Sequence, residues 1–234
     1  MDRALSWRKP AVGQAGADER FLRTLADDTE DAPWMVMGDL QFWSASSFAH
    51  SLRIYARSQA LPWYVASMLP IRYRREGTGR RGQLAPDCFV ALVADHAREA
   101  YDLEAEGVFP AFVLEVVSPS SVQRDEQEKL RAYEVLGARE YVLFTPRAEG
   151  SSRLVGYQRG AGGVLEPNPL AADGRLWSAV LGLWLLVEGV LLVAQTAVGE
   201  RLRSPEQEAT ARQEAEAENA RLRAALARLQ RDGA

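Results

Sequence analysis

Cysteine, histidine and lysine are scarce in this chain, and each scarcity closes off some chemistry. The single cysteine, Cys88, leaves no partner for an internal disulfide and no set of thiolates for a structural zinc, which suits a reducing cytoplasm. His50 and His96 stand apart in sequence from the other chemistry-bearing residues and read as surface or satisfied histidines. Met1 to Gln14 lacks the apolar core that a signal peptide needs, so export is not expected. An excess of positive charge is missing too. The 28 Lys and Arg against 32 Asp and Glu give a formal charge of −4, which argues against a surface coated for indiscriminate nucleic-acid binding. One apolar run, Leu176 to Val198, approaches the length of a membrane span, but Glu188 and Gln195 interrupt it and Glu188-Gly189 fits a hairpin turn.

Among the basic residues only Lys9 and Lys129 are lysines, and Lys9 falls in a polar N-terminal segment. Arginine stays protonated and binds in a planar fork, whereas lysine is a compact charge that can orient or deprotonate a water. Lys129 is therefore either a functional exception or a chance cation on a solvated helix face. Arginine supplies local positive charge elsewhere. Arg72, Arg74, Arg75, Arg80 and Arg81 stand against Glu76 alone between Ile71 and Gly82, a basic loop shortly before Asp87.

At 234 residues, with 47% hydrophobic and 26% charged residues, the chain has the composition of a soluble globular protein. It can bury roughly 70% of its unfolded surface in one main domain. Residues 1–32 are polar without sustained periodicity and read as an arm with a short helix around Glu19 to Ala26. Phe48, Leu52, Tyr55 and Ala56 predict a helix from Ser44 to Ala60, capped by one of its first serines. Trp63 to Tyr73 and Leu84 to Val93 are β-prone runs around Gly77-Thr78-Gly79 and predict a hairpin.

Ala111 to Val117 is continuously apolar but for Glu115, the pattern of a strand buried on both faces. Ser120 and Gln123 have capping-box spacing and open a helix that runs to Leu136 and ends at Gly137. Glu140 to Phe144 is the next strand, so handedness makes 111–117 and 140–144 parallel neighbours, with Arg153 to Gln158 as an edge. Pro205 to Arg231 predicts a long helix whose seam of Leu222, Leu226 and Leu229 either pairs with a copy of itself or stays solvated. The expected fold class is α/β, a mixed β-sheet core flanked by helices, with a long C-terminal helix.

A carboxylate inside a buried strand needs a partner, because an unpaired buried charge costs several kcal/mol. A metal ion answers that need, and so does an ion pair with an arginine. Asp87 opens one strand, Glu115 lies in the next, and Lys129 shares a helix face with Asp125 and Tyr133, so the three can converge at one sheet end. Carboxylate oxygens suit Mg²⁺ or Mn²⁺, and the carbonyl after Glu115 offers a further ligand. Lys129 can orient and help deprotonate an attacking water. Arg72, Arg74, Arg80 and Arg81 fit phosphate contacts beside the carboxylates, and fit a solvated hairpin tip equally. Tyr133 and Ser118 read as core packing and helix capping.

Pro86-Asp87, Glu115-Val116-Val117-Ser118-Pro119, and the run from Asp125 through Lys129 and Tyr133 to Gly137 and Glu140-Tyr141 resemble the Uma-type family of restriction-endonuclease-like proteins, a branch of the PD-(D/E)-x-K nuclease superfamily. The resemblance implies a restriction-endonuclease-like domain at 33–200, between the polar arm of 1–32 and a helical tail at 201–234 able to form a coiled coil. It implies a cytoplasmic, Mg²⁺- or Mn²⁺-dependent endonuclease that hydrolyses DNA phosphodiester bonds. Asp87 and Glu115 would be metal ligands and Lys129 the catalytic lysine. The superfamily's usual lysine position, two residues after the second acid, is Val117 here, and Lys129 takes its place from the next helix. The further acid that many such nucleases carry on the first helix has Asp39 as its nearest candidate. The alternative is a non-catalytic module of the same fold that binds or assembles through its C-terminal helix, with a homodimer formed through the fold or that helix.

Overall fold

The computed structural model describes residues 12–28, 38–75, 80–119 and 121–232, with side chains over 18–223 of these. The Gly77-Thr78-Gly79 turn and Ser120 lie outside the described residues, as do the side chains of Leu226 and Leu229. The chain divides into two compact units, Met1–Leu202 and Arg203–Ala234.

The first unit is built on a mixed sheet. Strands β1 (Tyr64–Ser67), β4 (Cys88–Ala91), β6 (Phe112–Val116), β7 (Glu140–Thr145), β8 (Arg153–Arg159) and β9 (Leu165–Asn168) lie in the order β1-β4-β6-β7-β8-β9. β6 and β7 are parallel, as the strand–helix–strand pattern predicts, and the other neighbours are antiparallel. The expected edge strand β8 is covered by β9. The runs expected to form one hairpin split between two sheets. Their outer parts, β1 and β4, pair in the main sheet, while β2 (Ile71–Arg74) and β3 (Arg81–Leu84) pair with each other. β2 also takes β5 (Tyr101–Asp102), which runs directly into the short helix α3 (Leu103–Glu106), as a parallel neighbour. Met68, at φ 55, bends the chain between β1 and β2, and an L-residue there breaks a continuous strand.

Two-residue alternation sorts the side chains of the central strands. Phe112, Leu114 and Val116 of β6 join Val142 and Phe144 of β7 under helix α2 (Asp39–Ser58), which contributes Phe48 and Leu52. Val113 and Val117, with Tyr141 and Leu143, face the opposite core with Tyr133 of α4 (Leu130–Leu136). Leu22 and Leu25, in and just after α1 (Val12–Thr24), pack into that same core, so part of the expected polar arm is folded onto the domain. Each such buried side chain contributes about 1.5–3 kcal/mol by leaving water. Helix α2 is capped by Gly38 rather than by a serine, with Gln41 Oε1 accepting the Gly38 N–H at 2.7 Å. Gly137, at φ 108, ends α4 in the left-handed conformation that glycine tolerates.

Leu176–Val198 folds as β10 (Leu176–Ser178), β11 (Leu183–Glu188) and β12 (Leu191–Thr196), an antiparallel sheet with its turn at Gly189. Among the described residues no helix is long and apolar enough to cross a membrane. Glu140, at the head of β7, ties this sheet to the main one. Its buried carboxylate accepts the Ser178 hydroxyl and the N–H groups of Ala179 (2.6 Å) and Val180 (3.0 Å). Glu140→Ala would orphan these donors, so a loss of about 2–4 kcal/mol is expected from urea unfolding, with Glu140→Gln recovering part of it.

The second unit is helix α5 (Pro205–Asp232). Ser204 and Gln207 form a capping box, the Gln207 N–H donating to Ser204 Oγ (3.2 Å) and Gln207 Oε1 accepting the Ser204 N–H (3.0 Å). The Arg212–Glu216 pair at 2.9 Å is one of its exposed i,i+4 contacts, and Leu222 is exposed.

Candidate active site

Asp87 immediately precedes β4 and shares its inner-face parity with Phe89. Its carbonyl is fixed by the Ser67 hydroxyl (2.8 Å) and the Met68 N–H (3.2 Å), and its carboxylate Oδ2 accepts the Val116 N–H at 2.6 Å. Glu115 lies on the α4-facing side of β6, within side-chain hydrogen-bonding reach of Asp87. Lys129 reaches in from the helix. Its ammonium stands 3.0 Å from Glu115 Oε1, 3.3 Å from Asp125 Oδ1 and 3.6 Å from Asp28 Oδ2. The structure thus brings Asp87, Glu115 and Lys129 together and adds Asp125 and Asp28. All are buried, with Asp87 the most exposed at 9%.

Asp28 was not legible as a site residue. It follows α1 in an extended strap that runs beside β3: the Asp28 N–H donates to the Gln83 carbonyl (3.1 Å), and the Ala85 N–H donates to Asp28 Oδ2 (3.0 Å). Arg124 holds the strap from the helix side, reaching the Ala26 carbonyl (2.7 Å) and Asp28 Oδ1 (2.8 Å). Asp39, the nearest acid by sequence, is exposed at the start of α2 and takes no part in the cluster. Tyr133, read from sequence as core packing, is buried but also donates its hydroxyl to Glu115 Oε1 at 2.6 Å. Ser118 does cap: its Oγ accepts the Ser121 N–H at 3.1 Å.

Four carboxylates, Asp28, Asp87, Glu115 and Asp125, face two cations, Lys129 and Arg124, leaving a formal surplus of two negative charges in a buried volume. The electrostatics follow from that imbalance. Burial pushes the Asp87 carboxyl up to about 6 against the pull of Lys129 and the Val116 N–H. Burial lifts Glu115 well above the carboxylate range, and the charges of Asp87, Asp125 and Asp28 add to the rise that Lys129 opposes. Burial alone would ease the proton off Lys129, but Glu115, Asp28, Asp125 and Asp87 outweigh it and hold the ammonium charged. Burial also works against ionised Asp28, yet Lys129, the Ala85 N–H and Arg124 keep its carboxyl below its ordinary range. The Tyr133 hydroxyl, raised by burial and then by Glu115, stays protonated as a donor.

Among the described residues no group of three or more His, Cys, Asp and Glu forms a ready-made metal cage. The donor set is nevertheless of the right kind for a hard dication: it is all oxygen, it carries a formal surplus of two negative charges, and buried Asp125 Oδ1, 3.3 Å from the Lys129 ammonium, makes no hydrogen bond among the described residues.

The basic loop is partly neutralised. Arg74 pairs with Glu104 (3.3 Å), Arg81 with Asp102 (3.0 Å), and Arg75 turns to Asp27 (2.7 Å) and the Leu25 carbonyl (2.7 Å). Arg80 and Arg72 are exposed. Arg72 and Arg81 line an open pocket of about 260 Å³ with Asp27, Gly82 and Gln83. Asp27 and Asp28 are consecutive, so this pocket and the buried cluster share one strap.

A family model described as "Uma2: Putative restriction endonuclease" matches residues 33–188. Among solved structures, one described as a putative nuclease belonging to DUF820 from Anabaena variabilis ATCC 29413 is similar over 58% of this chain and 73% of that one, at 12% identity and a TM-score of 0.34. No curated protein matches the chain. Asp28 precedes the residues that the family model matches.

Proposed function

The chain belongs to the Uma2 family, and from that premise we propose that it hydrolyses DNA phosphodiester bonds with Mg²⁺ or Mn²⁺ at a centre of Asp87, Glu115 and Lys129. The observation that carries the reading is one ammonium set among carboxylates from separate elements, with negative charge left over. Asp87 and Glu115 would hold the ion, and Asp125 is placed to assist. The chemistry such an ion supplies is neutralisation of the charge that gathers on the scissile phosphate.

The protein's own groups do the rest. Lys129, held charged by its neighbours, donates to the attacking water and orients it toward phosphorus, while the carboxylates around it are the nearest bases for the water's proton. Tyr133 pins Glu115 Oε1, so the carboxylate does not swing between partners. Arg72 and Arg81, at the mouth of the adjoining pocket, are suited to flanking phosphates, which positions the duplex without reading its sequence.

Supercoiled plasmid incubated with the full chain and Mg²⁺ or Mn²⁺ should be nicked, and Asp87→Ala and Lys129→Ala proteins that remain folded should not nick it. A wild-type protein that leaves plasmid intact at every concentration with both ions overturns the reading.

A further inference from the structure

The turn that carries Arg124, Asp125 and Lys129 is not α-helical. From Arg124 to Lys129 the chain follows the wider π geometry, which pairs i with i+5 instead of i+4. A wider turn puts a smaller angle between successive residues. Arg124, Asp125 and Lys129 are accordingly all buried on its inner side, whereas a regular α-helix would keep Asp125 with Lys129 and rotate Arg124 outward. Such turns are rare, and the carbonyls they displace from the α pattern need partners when buried. Tyr141 provides one from β7. Its fully buried hydroxyl donates to the Asp125 main-chain carbonyl at 2.9 Å. Its ring is fixed between those of Tyr133 and Tyr157, at centroid distances of 5.1 and 6.2 Å.

We propose that Tyr141 is a positioning residue: through the Asp125 carbonyl it holds the wide turn open, and so sets the Lys129 ammonium among the carboxylates. The hydroxyl of Tyr141 is spent on the Asp125 carbonyl, so it acts on the turn. The effect on cleavage rests on the nuclease reading above, but the geometric effect can be measured without catalysis.

The scarcity of lysine supplies the probe. Full-length protein grown on ¹⁵N-lysine gives backbone amide signals from Lys9 and Lys129 only. Tyr141→Phe, with its folding checked by urea midpoint, is expected to move the Lys129 signal and leave that of Lys9 in place. Because the same turn carries Asp125, which faces the ion in that reading, it should weaken Mn²⁺ binding by calorimetry roughly tenfold through the displaced carboxylate, and lower kcat on plasmid roughly tenfold, with KM within about twofold of wild type. Deleting the exposed Gln127 takes one residue out of the turn with Tyr141 intact. The turn can then close as α-helix, and the Lys129 signal should again be displaced. This arm carries the test if the Phe protein does not fold. A Lys129 signal, Mn²⁺ affinity and kcat all unchanged in Tyr141→Phe, with only the urea midpoint lowered, overturn the proposal, as does a Gln127 deletion that leaves the signal in place. A wild-type protein that neither binds Mn²⁺ nor nicks DNA, while Tyr141→Phe still displaces the Lys129 signal, sinks the nuclease reading and upholds the positioning role.

Discussion

At about pH 7.5, saturating Mn²⁺ is expected to raise the unfolding temperature of this protein by roughly 5–10 °C, and at about pH 5 by much less. The expectation comes from the sign of the carboxyl shifts. A carboxyl whose folded pKa lies above its unfolded value stabilises fully below the unfolded value, and that stabilisation is lost as pH rises through the folded one. For Asp87 the window runs from 3.8 to about 6, a loss of about 3 kcal/mol by neutral pH. Glu115, raised further, extends the decline upward. Asp28 is lowered instead, so its contribution is present above its unfolded value and disappears only in stronger acid. The metal-free protein should therefore lose stability between mild acid and neutrality, where a dication replaces the missing protons. Thermal scans across this range, with and without Mn²⁺, check it. Asp87→Asn should flatten both the pH slope and the ion's effect, and a wild-type unfolding temperature indifferent to Mn²⁺ at neutral pH would contradict the charge accounting.

Lys129→Met is expected to abolish cleavage, by about a thousandfold or more, while binding Mn²⁺ more tightly than the wild type. Removing one partner from a buried ionic cluster costs about 3–5 kcal/mol, because Glu115, Asp125 and Asp28 are left facing one another. Among the described residues those carboxylates are then left with Arg124 as their cation, and it is committed to Asp28 and Glu128, so an external dication meets less repulsion and more demand. Mn²⁺ should restore the variant's unfolding temperature without restoring nicking. Calorimetry and plasmid cleavage on one preparation separate the two effects. Restored cleavage would remove Lys129 from the chemistry, and weaker Mn²⁺ binding would show that its ammonium helps to build the ion's site.

The strand–helix–strand unit around Glu115 was readable because short-range rules govern it: an apolar run, a glycine stop after Leu136, and a handedness constraint on the return strand. Asp87, Glu115 and Lys129 could be singled out because each breaks a local pattern, an acid amid apolar residues or a lysine in an arginine-using chain. Asp28 breaks none. It is one acid in an acidic stretch, and its role is defined by Arg124, 96 residues away, and by the backbone of Ala85. Tyr141 and Tyr133 were hidden for a different reason, since a buried tyrosine satisfies the core pattern whether or not its hydroxyl has work to do. The π turn had no sequence signal at all. Periodicity assigned Asp125, Lys129 and Tyr133 to one face correctly, but the inward Arg124 follows only from the widened geometry. The split of the expected hairpin into two sheets turned on a single residue in the left-handed region, Met68.

The 96-residue reach between Arg124 and Asp28 also sets a timetable. During synthesis, at about 5–20 residues per second, Asp28 leaves the ribosome on the order of ten seconds before the helix that neutralises it. Contacts so distant in sequence close late, after the local hairpins. A nascent chain cut short ahead of Arg124 lacks both cations of the cluster, Arg124 and Lys129, and the parallel neighbour of β6, so it leaves Asp28 without the partners that hold it in the folded protein.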